Sequence, residues 1–143
     1  MSYYIRYIST DATETTPPTL QEALTERDPQ YSIAASGEFK HGEEVYGVVE
    51  INRPGDGLFE EEIEELKEFV KDVRGKRKLD VLKTLDDARA IVAVQVLFGD
   101  RPAEVTLQKL DPLWEWLISH RRGLLQADDE GYYDKTGRIL KVT

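Results

Sequence analysis

The sequence predicts one α+β domain over residues 1–143: an antiparallel sheet of the ferredoxin-like βαββαβ type with helices on one face, followed by a C-terminal helix and β-hairpin. Three observations predict it. Residues 90–98, Ala-Ile-Val-Ala-Val-Gln-Val-Leu-Phe, form the longest nearly unbroken apolar run, and five of the nine are β-branched or aromatic. Residues 58–74 carry apolar side chains at helical spacing. Short alternating segments bounded by Gly, Pro and Asp fill the rest, in the order β, α, β, β, α, α, β, α, β, β.

Residues 3–8 read as the first strand, with Tyr3, Ile5 and Tyr7 on one face. A polar loop ends at Pro17-Pro18, and Thr19 with Glu22 fits a capping box that starts a helix over 20–26. Residues 31–40 and 43–52 predict a hairpin turning at His41-Gly42. In its second arm Val45, Gly47, Val49 and Ile51 share a face, with Tyr46, Val48 and Glu50 on the other.

The helix over 58–74 buries Phe59, Ile63, Leu66, Val70 and Val73, and its glutamates at the start and cations at the end complement the helix dipole. A further helix over 78–88 places Leu79, Leu82 and Leu85 together. Residues 90–98, apolar on both faces, predict a central strand covered on both sides; a buried helix over 80–98 is the alternative. A helix opening at 101–103 meets Pro112, which either kinks or restarts it before Gly123. The tail predicts a hairpin that turns over 134–137.

The net charge is −9 and uneven: residues 1–70 hold 5 Lys and Arg against 16 Asp and Glu, whereas residues 71–143 hold 14 against 12. So acidic a surface repels phosphate backbones, which argues against nucleic acid as a partner. With no cysteine there is no disulfide, zinc–thiolate site or cysteine nucleophile. No apolar run reaches the roughly 20 residues that span a bilayer, and the start lacks a signal-peptide pattern, so a cytoplasmic location is expected.

Few residues in the chain suggest catalytic or metal chemistry. His41 and His120 have no second ligand at helix or hairpin spacing, so no metal and no cofactor are predicted. Residues 128–131, Asp-Asp-Glu-Gly, lack the alternating acids of a calcium loop. Adjacent carboxylates such as Asp86-Asp87 point to different sides and make no acid–base pair by themselves. The basic cluster at 74–78 sits where helix termini favour cations anyway.

The aromatics say more. On one helix Trp114 falls in the core stripe, and Trp116 at its edge beside His120. Tyr132 and Tyr133 face opposite sides of a strand, so a sheet packed on one face leaves one of them outside. The expected function is a non-catalytic protein-interaction domain, self-associating as a homodimer or binding another protein through Trp116, Tyr132, Tyr133 and the acidic surface. One version is a small acidic inhibitor or immunity-type protein that neutralises a basic enzyme. The alternative is a ligand-binding protein or enzyme with a pocket between the sheet and the late helix, lined by Gln95, His120, Arg121 and Asp128.

Overall fold

The computed structural model describes residues 2–142. Its elements are β1 (Tyr4–Ser9), α1 (Pro17–Arg27), β2 (Tyr31–Ile33), β3 (Glu38–His41), β4 (Glu44–Asn52), α2 (Leu58–Lys71), α3 (Lys78–Asp87), β5 (Ala90–Val96), α4 (Ala103–His120), β6 (Gly123–Ala127), β7 (Gly131–Asp134) and β8 (Gly137–Lys141). The strands form one sheet in the order β2-β3-β4-β5-β1-β6-β7-β8, with every pairing antiparallel. The α+β class holds, and residues 90–96 are a strand rather than a helix. None of the helices is long and apolar enough to cross a membrane, among the described residues.

The ferredoxin-like arrangement is corrected. That fold would place β1 between the hairpin arm β4 and the strand that follows the second helix; here β5 lies next to β4, and β1 lies between β5 and β6. Nor do the helices share one face. Ile5, Tyr7, Val92, Val94 and Val96 pack with Leu20 and Leu24 of α1 and with Leu110, Leu113, Trp114 and Leu117 of α4. On the other face Ile8, Ile91, Ala93 and Leu124 pack with Phe59, Ile63, Leu66 and Val70 of α2 and with Val81 and Leu85 of α3. The physical reason lies in β5. Its alternate residues are apolar in both directions, so a one-sided helical layer would leave half of them in water.

Local chemistry moved several boundaries. α1 begins three residues early because Thr16 is the N-cap, its hydroxyl accepting from the Thr19 amide, and Pro17 and Pro18 fill the first turn where no donor is needed. The predicted first hairpin arm breaks at Gly37, whose φ of +93° turns β2 into β3. Phe39 pairs with Gly47 and Lys40 with Val45, so Tyr46 is an extra residue in β4. That bulge carries Tyr46 into the core with Val49, reversing its predicted face. In α3 it is Val81 and Leu85 that are buried, while Leu79 is 77% exposed. α4 runs unbroken through Pro112.

Candidate functional site

The acidic residues concentrate on α2. Its start is built by carboxylates: Asp56 accepts from the amides of Phe59 (2.7 Å) and Arg53 (2.9 Å), and Glu60 from those of Gly55 and Gly57. Those two donors hold the Asp56 carboxyl below the usual carboxylate range. The apolar stripe Phe59, Ile63, Leu66 and Val70 then fixes which side faces the sheet. Glu61, Glu64, Glu65 and Glu68 are left exposed and form no ion pair among the described residues. Beside them Phe69 is 75% and Leu58 53% exposed. By sequence Phe69 reads only as a flank of the stripe. At 100° per residue it lies about 90° off the buried direction, a signal that was available.

Where α2 meets the sheet, it covers a polar centre. Arg6 of β1 donates Nε to Glu62 of α2 (2.5 Å) and Nη1 to Gln126 (2.7 Å) and Asp128 (2.9 Å). Asn52 donates to the other Glu62 oxygen at 3.2 Å, and Gln126 to Asp128 at 3.0 Å. The guanidinium also lies over the Tyr4 ring, 5.0 Å from its centre. The opposing ion-pair partners raise the pKa of Arg6 despite its burial. Strand register continues this face into a row of partly exposed residues, Glu38–Val48–Gln95–Tyr4, with Asp128 bonded to the Tyr4 amide. None of that row belongs to either hydrophobic cluster.

Gln95 and Asp128 therefore belong to this face. His120 and Arg121 belong to the opposite one, so the single pocket expected from these four residues does not form. Arg121 is committed to structure. It donates to Thr15 Oγ1 (2.8 Å), the Glu14 carbonyl (3.1 Å) and the His120 carbonyl (3.0 Å), tying the loop before α1 to the end of α4. Trp116 is partly buried against the α1–α4 core. Its ring stacks on His120 at 4.6 Å and 12°, with the Arg121 guanidinium 5.0 Å above it. His41 bonds Asp28 at 2.8 Å and approaches Lys109 at 3.4 Å, joining the end of β3 to α1 and α4.

Tyr132 is corrected. It is 2% exposed within the α2–α3 core, where burial pushes its phenol well above the ordinary value, and it offers nothing to a partner. Because both faces are packed, neither tyrosine is left fully outside: Tyr133 packs partly against the other core and donates to Glu130 at 2.9 Å. Tyr133 also lines a cavity of about 390 Å³ between the end of α4 and the β7–β8 turn, together with Arg121. No family model, curated protein or solved structure matches the chain.

Proposed function

We propose that the protein is a non-catalytic interaction domain that binds a basic protein through the outer face of α2. The observation that supports this is the juxtaposition of four exposed glutamates, Glu61, Glu64, Glu65 and Glu68, which form no ion pair among the described residues, with an exposed phenylalanine, Phe69. Glutamate is depleted at interface centres and works at the rim, where it steers encounter, whereas an aromatic anchor supplies contact energy. A small acidic inhibitor of a basic enzyme is the sharpest form of this reading, and the cysteine-free composition suits a cytoplasmic setting. Trp116 and Tyr133, the remaining expected contact residues, lie on the opposite face and are secondary in it.

A photo-reactive phenylalanine analogue at position 69 tests the proposal. Irradiated in its native cell extract at low salt, it should cross-link a discrete protein of basic isoelectric point. The cross-link should fade toward physiological salt, because exposed charges are screened over about 10 Å at 0.1 M. It should disappear when Glu64, Glu65 and Glu68 are changed to Lys. Cross-linking to a second copy of the chain would replace this partner by self-association, and a salt-independent product would remove the electrostatic argument.

A further inference from the structure

We propose a second site, separate from α2 and on the opposite face of the sheet, that binds a small amphiphilic organic anion. α4 ends at His120 and β6 begins at Gly123, and β7 turns into β8 between Asp134 and Gly137. Between them lies the cavity of about 390 Å³, within the range of small-molecule sites, about 300–1,000 Å³. Tyr7, Ile118 and Tyr133 give it an apolar interior.

Its charge is the reverse of the protein's. In a chain of net charge −9, the lining carries three cations, Arg121, Arg122 and Lys135, and one carboxylate, Asp134. Asp134 is already satisfied: it accepts from the Thr136 amide (2.8 Å) and hydroxyl (2.5 Å) and lies 3.8 Å from Arg77. Those bonds hold its carboxyl below the usual range. Arg121 is occupied by the loop before α1. The two cations left to a ligand are Arg122, whose side chain is 80% exposed with Asp11 at 3.9 Å, and Lys135, which forms no ion pair among the described residues. An aromatic ring or short aliphatic body fits between Tyr7, Ile118 and Tyr133, and its carboxylate or phosphate meets Arg122 and Lys135 at the mouth.

The experiment is a titration of the full chain followed by amide chemical shifts, with phenyl phosphate and benzoate as probes. Saturable shifts at Gly123, Tyr133, Lys135 and Thr136 are expected with at least one of the two, and which one binds tells phosphate from carboxylate. Benzylamine, a cation of the same shape, should give none there. The double change Arg122→Glu/Lys135→Glu should weaken binding on the order of tenfold or more. The control Lys76→Glu/Arg89→Glu alters net charge equally at exposed sites elsewhere and should leave binding unchanged. Four results would overturn the proposal: no saturable shift with either probe, equal binding of benzylamine, equal weakening by both double changes, or inorganic phosphate binding as tightly as phenyl phosphate.

Discussion

Replacing Arg6 with methionine should destabilise the fold through what it strands. Arg6 is the cation facing two partly buried carboxylates, Glu62 and Asp128, whose side chains are 16% and 28% exposed. Removing one member of a buried ion pair costs about 3–5 kcal/mol, mostly because the surviving charge stays desolvated. Here both carboxylates keep some water, which moves the expectation to about 2–3 kcal/mol. For a chain of this size that is a fall in melting temperature of roughly 6–10 °C. Urea denaturation followed by circular dichroism measures it directly. The triple change Arg6→Met/Glu62→Gln/Asp128→Asn removes the stranded charges and keeps an amide oxygen on α2 to accept from Asn52; it should recover at least half of the loss. A single-variant cost under about 1 kcal/mol, or a triple variant no better than the single one, would refute the reasoning.

Two further outcomes follow from other elements. Trp114→Ala should cost on the order of 3–5 kcal/mol, since the residue is 5% exposed in the α1–α4 core, whereas the partly buried Trp116 should cost about 1–2 kcal/mol, mainly its stack on His120. Equal losses in urea denaturation would show both rings to be core. Asp56→Ala removes the carboxylate that receives the Phe59 amide of α2 and the Arg53 amide of the preceding loop, and should lower the urea midpoint at neutral pH. A carboxylate with a depressed folded pKa stabilises above the unfolded value and loses that effect as pH falls, so the gap between wild type and variant should close below about pH 4. A gap that ignores pH would assign the effect to chain geometry instead of charge.

What was legible in the chain was local. The β1 face of Ile5 and Tyr7, the α2 stripe from Phe59 to Val70, the turn at Gly42 and the C-terminal hairpin all follow from side-chain periodicities of 2.0 and 3.6 and from turn chemistry, which neighbouring residues settle among themselves. Residues 90–98 read as a strand covered on both faces, of which Ala90–Val96 form the strand, and the position of Trp116 at the edge of its stripe was readable by helix geometry alone.

Strand order was not legible. Whether β1 or β5 sits next to β4 depends on contacts between segments dozens of residues apart, and the same alternation suits either place. The split of helices between the two faces follows from that order, and it decided the fates of the candidate residues. It buried Tyr132 and parted Gln95 and Asp128 from His120 and Arg121. One bulged residue in β4 was enough to reverse the face of Tyr46. A period tells a residue which neighbours it shares a side with. Only the packed sheet decides what lies on that side, because burial is set by the area that distant elements remove from water.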